Sequence, residues 1–438
     1  MKPFSSVRGP VLVVHPSRDY FERVLQVAPN AVALAGPSRA ESLPAASVIP
    51  ADLEDADRCL RLIQAWEAQN GVRIAGIVTF LCDHLALTSE LARVLKLPFH
   101  DQSTIHRSRY KHQTKTCWQE AGISTPRGVE VRSSKEMETV LSCLPAGPWL
   151  LKPVSASGSE WVRLAWEPAE LEEQIAAVAA GLAHKARDAG DPAGLILVEE
   201  YIRGEEGSMD LFIHGSTAKI MRLNRKWMQE RKETAGTVLG YCASRWTPAE
   251  EEELRQQAAK ALQALGVRRG LCMLDFIDSG AKDGRTPDRF CFLEAGLRPG
   301  GDCLPEWSRY AGGYDPVRAA VLVSLGCPVE LEPVSTRHNR EIVAFHLMAP
   351  HAGELTQARW ESLLDHPAVL SVEPYFSQGD VLRTESGGYQ DLLLGAVVAR
   401  LEPGMSLRKF YRQLYEAGEF AIVSSRTFPL AHAQRSAV

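Results

Sequence analysis

What this 438-residue chain lacks narrows its function first. No stretch holds the roughly 20 consecutive apolar residues of a membrane-spanning helix, and the opening MKPFSSVRGPVLVVHP has no long apolar segment behind its charges. A soluble, cytoplasmic protein with no membrane partner is therefore expected. The nine cysteines are odd in number, scattered, and form no CxxC pair or short Cys/His cluster. That argues against a thiolate metal site and against a disulfide framework, and it favours a reducing compartment. Formal net charge is −5 with acids and bases interleaved, so no basic face offers itself to nucleic-acid phosphates. Small-molecule chemistry remains, on a chain long enough for about two to four domains.

A dinucleotide fingerprint is missing as well. Residues 11–100 alternate VLVV (11–14), AVALAG (31–36) and IAGIVTF (74–80) with helical patterns near 19–27, 54–69 and 86–96. This is βαβ grammar and implies a parallel sheet. The first strand runs into HPSRDY rather than GxGxxG, so that sheet reads as scaffold. A polar helix is expected around Arg107 to Glu120, stopping at Gly122 with Thr125-Pro126 beyond it. LLKPV (150–154) and LILVEEYI (195–202) read as strands enclosing a helix with Leu171, Ile175, Val178 and Leu182 on one face. Glutamates open that helix and His184, Lys185 and Arg187 end it, which suits the macrodipole. A further helix starts where Thr247 can cap, Pro248 fits the first turn and Glu250 completes a capping box. GLCMLDFI (270–277) and FCFLEAG (290–296) then form a hairpin about the turn-rich DSGAKDGRTPD, and 340–425 is another α+β stretch.

Alternation puts Leu271, Met273 and Asp275 on one face of the first hairpin strand, and Phe290, Phe292 and Glu294 on one face of its partner. Closing the hairpin sets Asp275 beside Glu294. Two carboxylates on apolar strands are costly to bury without a cation, and hard oxygens suit magnesium held together with nucleotide phosphates. The alternative is that both acids are solvent-facing strand ends. Arg298 precedes Pro299-Gly300-Gly301-Asp302, where glycine lets backbone approach a ligand and the guanidinium can grip a carboxylate in a planar fork; alone, such a pattern is also an ordinary surface feature. Lys152 lies in an apolar strand before the small-residue loop SASGS (155–159). Lysine and loop can close over phosphates, or form a snorkelling side chain and a solvent loop. Lys111 and Lys115, four apart, read on their own as a solvated helix face.

The order of the pieces is more specific than any one of them. Lys111 eleven residues before Gly122, then LLKPVSASGS, VEEYIRGEE, LDFI and LEAGLRPGG together resemble the ATP-grasp superfamily over about residues 100–330. Within it the chain is similar to the carboxylate-amine ligases, in particular the bacterial L-amino acid ligases that form dipeptides. HLMAPHAGELT (346–356), Pro374, Gly379-Asp380 and LLLGAVVA (392–399) match their C-terminal module.

The resemblance implies an α/β and α+β architecture, the ATP-grasp fold. A Rossmann-like parallel-sheet domain would span 1–104, a small central lid domain 105–204 and a large C-terminal domain 205–438, with a ligase module at 340–438. It implies ATP and Mg2+ as cofactors, two ions, with Mn2+ as a substitute. Lys111 and Lys152 become the phosphate lysines, and Ser155, Ser157, Gly158 and Ser159 the flexible phosphate loop. Glu199 and Glu200 with the Tyr201-Ile202 backbone would border adenine, and Glu206 would accept from the ribose. Asp275 and Glu294 become metal ligands, and Arg298 steadies an acyl phosphate and the tetrahedral intermediate formed from it. The partners are a small-molecule carboxylate and an amine, with a homodimer as the default assembly. The alternatives are a ligase for a non-amino-acid carboxylate in specialised metabolism and a non-catalytic nucleotide-binding member.

Three positions depart from the family. Gly296 stands where Asn is usual, Met273 where the dipeptide-forming relatives often have His, and Trp161 where a small residue follows the loop. RLNRKWMQERKE (222–233) brings Arg222, Arg225, Lys226, Arg231 and Lys232 near the expected site, either to meet the triphosphate and an anionic substrate or as an exposed basic loop. Trp307 and Tyr310 either line a substrate pocket or pack in the core.

Overall fold

A computed structural model describes residues 9–155, 158–185, 194–229, 236–280, 288–327, 341–384 and 389–424. Near the N-terminus, β1 (Val11–Val14), β2 (Val32–Ala35), β3 (Val48–Pro50) and β4 (Gly76–Val78) form a parallel sheet in the order β3-β2-β1-β4. Side chains alternate along each strand. Leu12 and Val14 therefore join a core with Cys59 and Ile63 of the helix Ala56–Asn70 and Leu91 of the helix Leu85–Leu95. Val11 and Val13 face the other way, onto Phe21 and Val24 of the helix Arg18–Val27 and onto Val317 and Val321 of the helix Pro316–Ser324. The strands and helices expected here are present. The addition is β3, a three-residue edge strand ending in Pro50, too short to carry an alternating pattern.

A second sheet has the order β5-β8-β6-β7, built from β5 (Gly128–Val131), β6 (Trp149–Pro153), β7 (Arg163–Ala165) and β8 (Ile196–Glu200), all pairs antiparallel. The helix Pro168–Lys185 buries Leu171, Ile175 and Val178 in this sheet's core with Leu182 partly buried, the face its periodicity predicts. Its expected basic end, at His184, Lys185 and Arg187, lies outside the described side chains.

The largest sheet is antiparallel. It contains β9 (Glu205–His214), β10 (Thr217–Gln229), β11 (Thr237–Ala243), β12 (Arg269–Asp278), β13 (Phe290–Gly296), β14 (Ile342–Met348), β16 (Val369–Pro374) and β18 (Leu393–Arg400). Their order is β13-β12-β9-β10-β11-β14-β18-β16, and a small sheet β17-β15-β19 joins β15 (Gly353–Gln357), β17 (Val381–Leu382) and β19 (Ala421–Val423). Residues 222–229 are thus part of a strand and not a loop; Arg231 and Lys232 lie outside the described residues. The helix Pro248–Ala264 opens with the expected capping box at Thr247 and Glu250. It packs Leu254, Ala258 and Leu262 on the sheet beside Trp118, whose indole N–H donates to the Ala261 carbonyl at 2.9 Å. Trp118 is completely buried, and its truncation to Ala would cost about 3–5 kcal/mol. No helix among the described residues is long and apolar enough to cross a membrane.

Candidate active site

The expected helix over 107–120 is two helices, Gln102–Arg109 and Lys111–Glu120, broken at Tyr110, whose φ of −91° and ψ of 105° are extended. The break makes Lys111 the first residue of the second helix. Its backbone N–H donates to the Val154 carbonyl at 2.9 Å, tying the helix start to the end of β6. One turn on, Lys115 is not solvated: its ammonium lies 3.0 Å from Glu199 and donates to the Thr125 hydroxyl at 3.1 Å. Leu150 of β6 opposes Glu199 of β8, so Lys152 and Glu199 are diagonal neighbours on one face, and they meet at 2.8 Å. One buried carboxylate therefore holds two buried ammonium groups.

The loop after β6 carries Ser155, buried, then Gly158 and Ser159 with φ of 67° and 56°; Ser157 lies outside the described residues. A Cβ at Gly158 would come within 2.8 Å of the Gln390 amide, so this glycine lets the loop meet the segment before β18. Trp161 is at φ 53° and also strained. Its indole lies flat on Gly181, where a Cβ would sit 2.5 Å from the ring, and the Arg163 guanidinium stacks 5.4 Å from its centroid. The tryptophan in place of a small residue is thus packing between loop and helix.

At the end of β8 the two glutamates diverge. Glu200 accepts from the Arg127 backbone N–H at 2.9 Å and from its guanidinium at 3.0 Å, while Tyr201 N–H donates to the Pro148 carbonyl at 3.0 Å. Ile202 turns inward onto Ile277, Cys291 and Leu293, an apolar wall beside the chain segment expected to border adenine. The last three had not been singled out from the sequence; their positions in the hairpin strands were the available signal.

Asp275 pairs directly with Glu294 across β12 and β13, but not by simple alternation. Phe276 opposes Phe292 and Asp275 opposes Glu294, so Leu293 is an extra residue, a β-bulge. Phe290 and Phe292 lie in the main core with Phe276, whereas the bulge turns Glu294 to the opposite face, beside Asp275. The expectation that Phe290, Phe292 and Glu294 share a face is corrected accordingly. Lys226 of β10 reaches both Asp275, at 2.7 Å, and Glu206. Glu206, expected to accept from a ribose, is thus engaged by a lysine here.

Four lysines face four carboxylates at this junction, and the charges shift one another. Burial lowers Lys111 to about 8, opposed by Glu294 and reinforced by Lys152; burial also pushes Lys115 down. Burial alone would raise Glu294, but Lys111, Lys152, Lys226 and Lys115 outweigh it and hold the carboxylate below its usual range. Asp275 moves the other way, because burial and its acidic neighbours Glu294 and Glu206 exceed the pull of Lys226. Asp275 Oδ1 is buried with no hydrogen-bond partner. An orphaned carboxylate oxygen beside a second carboxylate fits a hard cation. Among the described residues, no group of three or more His, Cys, Asp or Glu is placed to hold a metal ion.

Arg298 stands apart from this cluster. Its Nε donates to Cys82 Sγ at 3.0 Å and Nη1 to the Pro299 carbonyl at 2.8 Å, facing residues that follow β4. Gly300 serves its own chain: its N–H donates to Asp210 at 3.0 Å, and a Cβ there would come within 2.9 Å of Arg222. Arg222, fully buried, pairs with Asp210 at 2.8 Å, and Arg225 with Glu205 at 3.1 Å, so of the described basic run only Lys226 joins the carboxylate cluster. A Cβ at Gly296 would lie 3.9 Å from Met273, its partner across the hairpin, so a side chain has room there. Trp307 is core, donating to the Ile342 carbonyl at 3.1 Å, and the exposed Tyr310 donates to the Leu370 carbonyl at 2.9 Å; neither belongs to the cluster.

Residues 146–280 match the family model described as the ATP-grasp domain. Carnosine synthase 1 of Gallus gallus is 28% identical over 400 residues, covering 87% of this chain and 40% of its own length. The chain thus spans well under half of that relative. The L-amino acid ligase of Bacillus licheniformis superposes with a TM-score of 0.74 at 18% identity, over 96% of this chain and 100% of its own. The biotin carboxylase domain of Hydrogenobacter thermophilus 2-oxoglutarate carboxylase, solved with MgADP and bicarbonate, gives 0.65 at 16% identity over 94% and 91%. The chain has the ATP-grasp fold, which it shares with the L-amino acid ligase, and carries an ATP-grasp domain at 146–280.

Proposed function

We propose that the chain joins a carboxylate to an amine, using ATP and passing through an acyl phosphate, with ADP and orthophosphate as products. The observation that carries this is the buried junction where Lys111, Lys115, Lys152 and Lys226 crowd Asp275 and Glu294 while Asp275 Oδ1 stays unpartnered. A polyphosphate and a divalent cation are the ligands that such a set suits. The L-amino acid ligase and the carnosine synthase among the similar proteins support the ligase class and an amino acid as one substrate.

In this reading Lys111 and Lys152 hold the phosphates, and Lys115 acts through Glu199, which it shares with Lys152. The wall of Ile202, Ile277, Cys291 and Leu293 takes a face of adenine, with Glu199, Glu200 and Tyr201 at its border. Glu206 turns from Lys226 to the ribose hydroxyls. Asp275 and Glu294 would hold magnesium, two ions in full, which supplies charge neutralisation between the phosphates and the incoming carboxylate. The substrate carboxylate oxygen attacks the γ-phosphorus and ADP leaves. The amine then attacks the acyl carbon, orthophosphate departs, and the nitrogen gives up its proton. Arg298 grips the carboxylate and stabilises the oxyanion between these steps. The loop at 155–159, in a central lid at 105–204 between segments 1–104 and 205–438, keeps water from the acyl phosphate.

The test is orthophosphate and ADP release against a panel of amino acids, singly and in pairs. Both products are expected in equal amounts when a carboxylate and an amine are present together, and Glu294→Ala should abolish them. Arg298→Ala is expected to slow turnover about 100- to 1,000-fold while ATP still binds. Nucleotide binding without ADP formation for any pair would overturn the ligase reading.

A further inference from the structure

Away from the lysine and carboxylate cluster, a cavity of about 230 Å³ lies between the N-terminal parallel sheet and the large antiparallel sheet. It is bounded by β4, the segment 98–101, the start of β12, the segment Leu297–Pro299 and the helix Pro316–Ser324. Val78, Phe99, Leu271, Leu297, Ala320 and Val323 supply apolar lining from both sides. None of the four lysines, nor Asp275 or Glu294, lines it.

Its polar groups carry a sign. Arg269 donates from Nη2 to the Val323 carbonyl at 3.1 Å, while its Nε is buried and has no hydrogen-bond partner. A buried guanidinium N–H left unpaired is costly, and an acceptor entering the cavity would recover that cost. Arg268, exposed, and Arg298, partly buried, are the other two arginines of the lining. The one carboxylate of the lining, Asp101, is already committed to the Thr104 N–H and the Ser103 hydroxyl, both at 2.7 Å. His100 is held neutral by burial, which lowers its pKa to about 4. Gly270, at φ 142°, makes room for that imidazole, since a Cβ there would meet it at 2.9 Å.

We propose that this cavity is a second ligand site, for a small monocarboxylate with an apolar body, its carboxylate on Arg269 and Arg268 and its hydrocarbon against Val78, Leu271 and Ala320. The volume sits below the roughly 300–1,000 Å³ typical of drug-sized ligands, so a molecule of phenylacetate size is the upper end. The segment Leu297–Pro299 is one wall of this cavity, so Arg298 borders it as well as the proposed site of the substrate carboxylate.

Phenylacetate and its neutral isostere phenylacetamide are titrated calorimetrically into the full chain without ATP, and crystals soaked in 4-bromophenylacetate locate the bromine by its anomalous signal. Expected are a bromine between β4 and the helix Pro316–Ser324, and about tenfold weaker phenylacetate binding in Arg269→Met with phenylacetamide unaffected. Ala320→Phe, which fills the cavity, is expected to remove binding of both while ATP affinity stays at the parent value. A bromine beside the phosphate lysines, equal phenylacetate affinity in Arg269→Met and parent, or no binding at millimolar concentration would overturn the proposal. Each readout is independent of turnover, so none depends on the ligase reading.

Discussion

Replacing Lys226 by Met leaves Asp275 and Glu206 together without the ammonium that holds them, 2.7 Å from Asp275 Oδ2. Lys226 and Asp275 are almost wholly buried, whereas the Glu206 side chain keeps 23% of its exposure. Removing one member of a buried ion pair costs about 3–5 kcal/mol, because the remaining charge is stranded in low dielectric. With Glu206 partly hydrated, the lower end applies, about 3 kcal/mol. At roughly 2–4 °C per kcal/mol for a cooperative unit of 150–250 residues, the melting midpoint should fall by about 6–12 °C. If Asp275 and Glu294 are metal ligands, magnesium replaces part of the lost positive charge, and it should raise the midpoint more in the variant than in the parent. Thermal melts followed by circular dichroism, with magnesium chloride against potassium chloride at matched ionic strength, read both effects. An unchanged midpoint refutes the buried pair. A magnesium increment equal in both proteins refutes the assignment of the two acids as its ligands.

Two further outcomes follow from titrating groups. Burial lowers Lys111 to about 8, so ATP affinity should hold steady below that pH and weaken above it by up to about tenfold per unit as the ammonium is lost. Calorimetric titration should show this step in the parent and none in Lys111→Met. In the fold the sign is opposite: its folded pKa lies below the unfolded value of 10.5, so the charged lysine penalises folding fully below pH 8, and the penalty fades as pH rises from about 8 to 10.5. Burial, with Asp19, Glu306 and Asp302 adding, raises Glu373 from 4.5 to about 7. The protonated acid therefore contributes stability that is complete below about pH 4.5 and lost as pH rises through 7. Glu373→Gln should melt above the parent at pH 8, with the gap closing towards pH 5; a gap equal at both would count against the shift.

What the sequence disclosed and what it concealed divide along one physical line. Local grammar was readable, because the capping box at Thr247, the stripe of Leu171, Ile175 and Val178, and the βαβ alternation of residues 11–100 are all set by neighbours within a turn or a strand. The hairpin bearing Asp275 and Glu294 was readable for the same reason, yet the face of Glu294 was not. One extra residue at Leu293 reverses every later side chain, and nothing in FCFLEAG marks it. The strands β9 and β10 escaped because their charged residues look like loop until their partners are known. Arg222 is paired with Asp210 from the adjacent strand, and Lys226 with Asp275 from a strand 49 residues away. Lys115 reads as a solvated helix face because Glu199, the carboxylate that allows its burial, lies far along the chain on β8. These failures share a cause and a place: each concerns a charge buried through long-range pairing, and Lys115, Lys226, Asp275 and Glu294 converge on one junction. A fold stabilised mainly by apolar contacts has little need to bury four lysines against four acids. That the chain does so where two sheets meet is a stronger argument for a polyphosphate and cation site than any one motif.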